Sequence, residues 1–349
     1  MNGRVLFIAL GGTIAMTATS EGGIAPSLSA QDLVAAVPGL EQLANIAARS
    51  PFQLPGASLT IAHLVEIAEL IATEAREGIV GAVVVQGTDT IEETAFLLDC
   101  MLQLDIPVIV TGAMRGAQAL GADGPANLMA SAIVAVSKEA RGLGVLVVLN
   151  DEVHAARHVR KQHTSLLSAF SSAPHGLAGQ VIEGVFRPGM KPRALLHIAA
   201  PQLPADIPPV ALVEIGLGED GRMLGLLAKA GYRGAVLAAM GAGHVPQAMV
   251  ESIARLMKEM PVVLSTRVMA GPVFHATYGF AGSEIDLRAR GILGGGELGP
   301  LKARLLLQLA LLAGQSPAQI HQTFAQIDKV AVSAALVTRQ EAVISSRKG

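Results

Sequence analysis

The chain has 349 residues, of which 51% are hydrophobic, 15% are charged and 3% are aromatic, and its formal net charge is −2. A chain of this length can bury a large core and is expected to form two domains rather than one. The near-neutral charge, with no block of like charges, argues against nucleic-acid binding, because a polyanion selects a concentrated basic surface. The single cysteine, Cys100, excludes an intrachain disulfide framework.

The first apolar run, residues 5–10, lies close to the start of the chain. It is too short for the apolar part of a signal peptide and lacks a small-residue cleavage site, so it is interpreted as the first strand. No stretch of the sequence has the length and apolar character needed to span a bilayer. The sequence therefore predicts a cytoplasmic protein without a membrane partner.

Short apolar runs bounded by turn residues alternate along the chain with segments of helical periodicity. Strands are predicted at residues 4–10, 79–85, 107–111, 144–149, 210–215, 235–240 and 261–265. Helices are predicted at residues 61–75, 91–104, 126–140, 245–258 and 298–313. This alternation is typical of an α/β fold, in which helices cover both faces of a mostly parallel sheet.

A stretch rich in proline, residues 187–209, interrupts the alternation. It predicts an interdomain linker, because clustered prolines break both helices and strands. The predicted domains are an N-terminal α/β domain over residues 1–187, a linker over 188–209 and a C-terminal α/β domain over 210–349. The last part, from Val330, is predicted to be an appended tail.

Two turns rich in glycine and threonine follow predicted strands. The first, "GGT", brings Thr13 to the carboxyl end of its strand, and "QGTDT" does the same for Thr88 and Asp89. Ligands of open α/β sheets bind at that edge, although Thr13 would also suit a helix N-cap. Thr90 and Glu93 have the spacing of a capping box, which leaves Thr88 and Asp89 available for chemistry.

Further polar residues have two interpretations each. Arg115 and Asp123, in a third glycine-rich turn, would either bind an anion or shape the loop. Lys161 would either be a solvated surface residue or, if desolvated beside a carboxylate and a hydroxyl, take a proton from threonine. His154 and His158 are four residues apart, but no third ligand of suitable geometry is evident, so no metal is predicted.

Two GxGxxG matches, at residues 216–221 and 294–299, raise the question of dinucleotide binding. In the first, Glu219 and Asp220 would face the pyrophosphate, and no acidic residue follows the next strand to bind a ribose. The second lacks a convincing strand before it. The sequence therefore predicts no dinucleotide cofactor.

Taken together, the turns resemble the bacterial-type L-asparaginase family. The matching segments, in chain order, include "GGTIA", "QGTDTIEETA", "GAMR", "ADGPANL", the segment ending at Lys161, and "KARLLLQLAL". The resemblance extends from residue 3 to about residue 328. It implies a two-domain asparaginase-like fold, with a larger N-terminal flavodoxin-like sheet covered by helices on both faces and a smaller C-terminal α/β domain.

The resemblance also implies an amidohydrolase that converts L-asparagine to L-aspartate and ammonia through an acyl-threonine. Thr13 matches the nucleophile, and Thr88, Asp89 and Lys161 match the group that moves protons and orients water. Contacts with the small-molecule amide substrate are implied at Ala57, Ser58, Gly87, Asp89, Ala113 and His244. No metal or organic cofactor is implied, and the expected assembly is a homotetramer of intimate dimers.

The chain departs from the family pattern in the loops expected around the substrate. The family's loop tyrosine is missing from "TATSEGGIAPSLS", and the only two tyrosines are Tyr232 and Tyr278. In the turn "PGASLT", one polar side chain of the family's pair is either missing or shifted by one position, and Ser58 would alternatively serve as a helix cap. His244 stands where asparagine is common, and the apolar "MAGPVFHATYGF" replaces an acidic loop. Two alternatives follow, namely the same threonine chemistry on a less zwitterionic amide or imide, and a non-catalytic binding protein.

Overall fold

A computed structural model describes residues 3–12, 14, 16–18, 24–26, 28–192, 196–204 and 206–328. The described residues form two compact units. One contains the chain up to Pro208 together with Leu305–Gly314, and the other contains Pro209–Arg304 and the chain from Gln315 onward. In the part of the chain that the structure describes, no helix has the length and apolar character required to cross a membrane.

Most strands of the first unit belong to one sheet. In chain order the strands are β1 (Arg4–Ala9), β2 (Met16–Ala18), β3 (Ile24–Pro26), β4 (Asn45–Arg49), β5 (Ile79–Val85), β6 (Val108–Thr111), β7 (Val145–Leu149), β8 (Glu152–Ala155), β9 (Arg160–Lys161), β10 (Phe170–Ser171), β11 (Gly179–Ile182) and β12 (Val185–Pro188). The eight-stranded sheet has the order β12-β11-β8-β7-β6-β5-β1-β4, whereas β2 pairs with β3 and β9 pairs with β10. Strands β4, β1, β5, β6 and β7 are parallel, which confirms the predicted mostly parallel sheet.

The helices of the first unit are α1 (Ala30–Ala35), α2 (Leu40–Leu43), α3 (Ile61–Arg76), α4 (Ile91–Met101) and α5 (Gly124–Val136). Helix α3 begins at a capping box formed by Thr60 and His63, and Gly78 follows its end with a φ of 89°. The buried residues of α4 include Cys100, whose side chain is fully enclosed. The predicted helices are therefore present, with ends that differ from the prediction by a few residues.

Strand β1 lies at a point where the direction of strand addition reverses. The chain continues from β1 to β4 on one side, and β5 pairs with β1 on the other side. The central strands are Val-, Ile- and Leu-rich and buried on both faces, as expected when helices cover both sides of a parallel sheet. A crevice is expected at the carboxyl ends of β1 and β5, since such a reversal separates the connections on the two sides.

The other end of the sheet is antiparallel and was not predicted. Asn150 and Asp151, with φ values of 54° and 60°, form a two-residue turn that reverses the chain from β7 into β8. Both residues adopt the positive φ that tight hairpin turns require, and asparagine and aspartate tolerate it better than most residues. Strands β8, β11 and β12 then extend the sheet, so the segment that precedes Lys161 is not a simple surface loop.

Part of the predicted linker, residues 188–209, packs on the first unit. The backbone N–H of Met190 donates to the carbonyl of Leu177, and that of Ile198 donates to the carbonyl of Cys100, both at 2.9 Å. The same unit also includes Leu305–Gly314, which the sequence analysis assigned to the C-terminal domain. The interpretation of residues 188–209 as a linker therefore stays a prediction.

The second unit is a smaller parallel sheet with helices. Its elements are β13 (Val210–Glu214), α6 (Leu224–Leu227), β14 (Gly234–Ala239), α7 (Val250–Leu256), β15 (Val262–Thr266), α8 (Glu284–Ala289), β16 (Leu293–Gly294), the first part of α9 (Pro300–Leu312), and α10 (Pro317–Ile327). The strand order is β13-β14-β15-β16, and all pairs are parallel. Helix α7 is shorter than predicted because Val245 bonds to Gly282 and a 3₁₀ turn, Gln247–Met249, precedes the helix. The predicted tail from Val330 lies outside the described residues.

Candidate active site

Three of the predicted catalytic side chains meet at the carboxyl end of β5. The ammonium group of Lys161 donates to Thr88 Oγ1 at 2.9 Å and to Asp89 Oδ1 at 2.9 Å. The side chain of Lys161 is 16% exposed, that of Asp89 is 67% exposed, and Thr88 is buried. Lys161 is therefore not a solvated surface residue, and it lies within reach of both a hydroxyl and a carboxylate.

The position of Lys161 is set by a short hairpin. Lys161 in β9 pairs with Phe170 in β10, and the N–H of Gln162 donates to the carbonyl of Ala169 at 2.7 Å. Phe170 and Ala169 are buried, which anchors the hairpin to the body of the first unit. The ammonium group is thus presented from backbone that is hydrogen-bonded and packed, as a preorganised site requires.

Close packing of three glycines brings the surrounding turns together. A Cβ atom on Gly12 would overlap the backbone nitrogen of Gly87, and a Cβ atom on Gly87 would lie 3.0 Å from the nitrogen of Gly56. Gly12 also has a φ of 87°, which L side chains rarely adopt. The predicted nucleophile, Thr13, lies outside the described residues. It follows directly in sequence on Gly12, which contacts the turn that carries Thr88.

A buried glutamine that the sequence analysis did not identify connects these turns. Gln86 Nε2 donates to the carbonyl of Gly87 at 3.2 Å and to Thr90 Oγ1 at 3.1 Å. Thr90 Oγ1 in turn donates to the carbonyl of Gly56 at 3.0 Å. In the sequence, Gln86 could have been identified as a polar residue that directly follows an apolar strand.

The predicted capping box of Thr90 is wrong. Thr90 makes no side-chain capping bond to α4, because its hydroxyl is bonded to the carbonyl of Gly56 instead. A 3₁₀ turn, Thr88–Thr90, leads into the helix. Thr90 therefore joins the Thr88–Thr90 turn to a neighbouring turn of the first unit.

That neighbouring turn, Gly56–Ser58, carries the two predicted substrate contacts Ala57 and Ser58. Both residues are exposed, and the turn contacts the Thr88–Thr90 turn. Helix α3 is capped by Thr60, so the alternative that Ser58 caps this helix is wrong. The hydroxyl of Ser58 is thereby left for another role.

The third glycine-rich turn, which follows β6, brings Ala113 close to Thr88. Ala113 is buried, and a Cβ atom on Gly112 would lie 3.5 Å from Cγ2 of Thr88. The amide group of Asn127 donates to the carbonyl of Gly112 at 2.9 Å, and its oxygen accepts the N–H of Asn150 at 2.9 Å. Asn127 therefore fixes the third turn relative to the hairpin that follows β7.

Arg115 and Asp123 shape this loop. Asp123 accepts the backbone N–H groups of Met114 and Arg115, both at 2.9 Å. The guanidinium group of Arg115 donates to the carbonyl of Gly121 at 2.8 Å. Both side chains are thus engaged within the loop itself, which favours the loop-shaping interpretation over an anion site.

The histidine pair considered for a metal has other contacts. His154 is buried, its Nδ1 lies 2.9 Å from Ser172 Oγ, and its Nε2 lies 3.6 Å from Glu152 Oε2. Burial lowers the pKa of His154 to about 4. His158 instead stacks on His175, with ring centroids 3.9 Å apart. Among the residues that the structure describes, no group of three or more ligating side chains could hold a metal ion.

His244, the remaining predicted substrate contact, lies in the second unit after β14. Its Nε2 is 3.3 Å from Oε2 of Glu284, a distance suited to an ion pair, although the two atoms are not aligned for a hydrogen bond. Burial opposes ionisation of Glu284, but the N–H groups of Tyr278 and Thr277 donate to its carboxylate, and its pKa is lowered overall. The prediction of an apolar loop at residues 269–280 left out Glu284, which follows that loop in the first turn of α8.

Comparison with known proteins places this geometry in a family. Residues 4–190 match the model "Asparaginase, N-terminal", and residues 209–324 match "Glutaminase/Asparaginase C-terminal domain". An L-asparaginase of Bacillus licheniformis is 33% identical over 89% of this chain and 96% of its own length. A probable L-asparaginase of Deinococcus radiodurans is 37% identical over 93% of this chain and 97% of its own length.

The fold agrees with a solved structure. The crystal structure of a probable cytoplasmic L-asparaginase from Campylobacter jejuni has a TM-score of 0.81 and 31% sequence identity, and the match covers 92% of this chain and 99% of that one. Both family models, the curated relatives and this structure agree over both units of the chain. Because the two family models match residues 4–190 and 209–324, and relatives that are 33% and 37% identical cover 89% and 93% of the chain, the protein belongs to the asparaginase family and is an amidohydrolase.

Proposed function

We propose that the protein hydrolyses the side-chain amide of L-asparagine to L-aspartate and ammonia through an acyl-threonine. The observation that carries this proposal is the position of Lys161, whose ammonium group lies 2.9 Å from both Thr88 Oγ1 and Asp89 Oδ1. A lysine enclosed beside a hydroxyl and a carboxylate can relay the protons that amide hydrolysis requires. The names of the relatives support the choice of asparagine as the substrate.

In the proposed reaction the hydroxyl oxygen of Thr13 attacks the amide carbon. The hydroxyl proton is transferred to the amide nitrogen, the carbon–nitrogen bond breaks, and ammonia leaves an ester on Thr13. Water, oriented by Thr88 and deprotonated through Lys161, then cleaves the ester and releases aspartate. The backbone near Thr88 and Ala113 donates to the oxyanion of each tetrahedral intermediate, which is often the largest single contribution to catalysis.

The proposal assigns substrate recognition to the surrounding turns. Asp89 accepts the α-amino group, and the turn with Ala57 and Ser58 meets the α-carboxylate. A second candidate substrate, a less zwitterionic amide or imide, is favoured by Ala57, which is exposed in this turn and has no polar atom in its side chain. When a site lacks the protein group that would pair with a charged group of the substrate, the enzyme becomes less selective for that substrate.

The test is ammonia release from L-asparagine by the full chain and by Thr13→Ala and Thr88→Ala. We expect each substitution to lower kcat by about 10²–10⁴-fold, because each removes a nucleophile or a proton-transfer partner. Thr73→Ala is the control, because Thr73 is exposed on α3 and its side-chain hydroxyl accepts a hydrogen bond from Arg76 of the same helix. Trapping an acyl group on Thr13 with a reactive substrate analogue would support the covalent step, whereas a folded protein that binds amides without releasing ammonia would establish the binding-only alternative.

The assembly and the location are further proposals. A homotetramer of intimate dimers is proposed from the family resemblance, and light scattering on the purified protein tests it. A cytoplasmic location is proposed because the structural relative from Campylobacter jejuni is described as cytoplasmic. A relative from Haemophilus influenzae is described as periplasmic, so cell fractionation decides between the two compartments.

A further inference from the structure

An open cavity, whose lining includes the exposed residues Gln162, His163 and Thr164, adjoins Lys161 within the first unit. It has a volume of about 370 Å³ and is lined by Asp89, Lys161, Gln162, His163 and Thr164. Pockets of roughly 300–1,000 Å³ hold ligands of drug size. The cavity therefore has room for a group attached to the amino acid whose amide is cleaved.

His163, one of the residues that line this cavity, has a ring whose hydrogen-bond donor is fixed. Its Nδ1 accepts the backbone N–H groups of Ser165 and Leu166, both at 3.1 Å. A ring nitrogen that accepts two N–H groups carries no hydrogen, so the neutral ring carries its hydrogen on Nε2. Nε2 has no hydrogen-bond partner among the residues that the structure describes.

Asp89 presents an acceptor in the same cavity. Its Oδ1 is bonded to Lys161, and its side chain is 67% exposed, so Oδ2 can accept from a ligand. The residues that line the cavity therefore include one carboxylate acceptor, on Asp89, and one N–H donor, on His163. A secondary amide has the complementary pair of groups, because it donates through N–H and accepts through C=O.

We propose that this cavity is a subsite for an acyl group on the α-nitrogen of the substrate, so that the enzyme also hydrolyses N-acyl-L-asparagine. Asp89 accepts the N–H of the acylated nitrogen, and His163 Nε2 donates to the acyl oxygen. One water is consumed, the side-chain carbon–nitrogen bond breaks, and the products are N-acyl-L-aspartate and ammonia. The inference rests on the proposed function, since it uses the same nucleophile and the same lysine.

The test compares N-acetyl-L-asparagine with L-asparagine in the wild type, His163→Asn and His163→Gln. An asparagine oxygen can replace Nδ1 as the acceptor of the turn N–H groups, but its shorter side chain places no donor at the Nε2 position. A glutamine amide can place a donor near that position. For His163→Asn we expect the KM for N-acetyl-L-asparagine to rise about tenfold, the effect of one hydrogen bond, and kcat/KM for L-asparagine to change less than about twofold.

Further variants distinguish the outcomes. His163→Gln is expected to recover part of the lost affinity, and His321→Asn, an exposed histidine of the second unit, is the control. Equal losses on both substrates in His163→Asn, or hydrolysis of L-asparagine without any hydrolysis of N-acetyl-L-asparagine, would overturn the subsite. Absence of ammonia release from both substrates in the wild type would instead overturn the proposed function, and the subsite with it.

Discussion

At the scale of single residues, the environment of Lys161 supports the proposed role of this side chain as a proton carrier. Its stem is enclosed by the first unit, while its ammonium group contacts Thr88 and Asp89. Asp89 compensates the charge, so the lysine does not stand as an isolated buried cation. In the proposed mechanism, the hydroxyl of Thr88 supplies the route by which a proton moves to and from water.

Replacement of Lys161 by methionine keeps much of the side-chain volume and removes the proton carrier. We expect kcat for amide hydrolysis to fall by about 10²–10⁴-fold, with a smaller effect on KM, because the lysine acts in the transition state. Lys138→Met is the control, because Lys138 is exposed in the 3₁₀ turn after α5. A Lys161→Met enzyme with nearly normal kcat in steady-state ammonia assays would remove Lys161 from the mechanism.

At the scale of elements, the site depends on turns that approach each other more closely than any side chain permits. Gly12 and Gly78 provide a matched pair, because their φ values are 87° and 89°. A Cβ atom on Gly12 would overlap Gly87, whereas a Cβ atom on Gly78 would meet no atom within 4 Å. The pair therefore separates backbone strain from the effect of close packing.

Gly78→Ala is expected to lower the free energy of unfolding by about 1 kcal/mol, the effect of a left-handed backbone on an L residue. Gly12→Ala is expected to lower it by more than about 3 kcal/mol, since the two turns must separate. Urea unfolding of both variants measures the difference. Similar decreases in the free energy of unfolding for the two variants would show that the two turns accommodate the added methyl group without a further loss of stability.

The hydroxyl of Thr90 gives a second prediction at this scale. Thr90→Val leaves the Gln86 donor and the Gly56 acceptor without their partner, and we expect a loss of about 1–3 kcal/mol in the free energy of unfolding. Thr90→Ser retains the hydroxyl and is expected to lose less than half as much. Both variants are compared by urea unfolding, and a serine variant as unstable as the valine variant would assign the role of Thr90 to its methyl group.

At the scale of the whole molecule, His154 makes stability depend on pH. Its pKa is about 4 in the folded chain against an ordinary value of 6.5, because burial disfavours the charged ring. Between these pH values the unfolded chain binds more protons than the folded chain, so the free energy of unfolding rises with pH in this window and levels off above it. The two pKa values correspond to a contribution of about 3 kcal/mol. Burial also raises the pKa of Glu152, which has the opposite effect.

The difference between the wild type and His154→Asn isolates this histidine. We expect the variant to lose most of the rise in the free energy of unfolding that the wild type shows between about pH 4 and pH 6.5. Urea unfolding at a series of pH values measures both slopes, and His321→Asn should keep the wild-type slope. Parallel slopes for the wild type and His154→Asn would mean that the ring does not titrate as its burial implies.

How far the sequence predicts the molecule depends on whether a feature is local. The strands and the glycine–threonine turns are local patterns, and parallel strands carry their following turns to one edge, so Thr88 and Asp89 could be placed there. The bond from Thr90 to Gly56 joins residues 34 positions apart, and this distant acceptor prevails over the capping box that Thr90 and Glu93 suggest. The antiparallel end of the sheet was also missed. Its reversal at Asn150 and Asp151 is a local turn, but β8 then pairs with β11, which lies beyond β9 and β10 in the chain.

The buried thiol of Cys100 gives the first unit a chemical probe that the second unit lacks. The chain contains one thiol, that of Cys100 in α4. The backbone carbonyl of Cys100 accepts the N–H of Ile198. A thiol-directed label can therefore enter only when this part of the first unit opens. The labelling rate would report the opening of the first unit around α4, and a slower rate in the presence of an amide would show that the folded chain binds the amide, without any turnover.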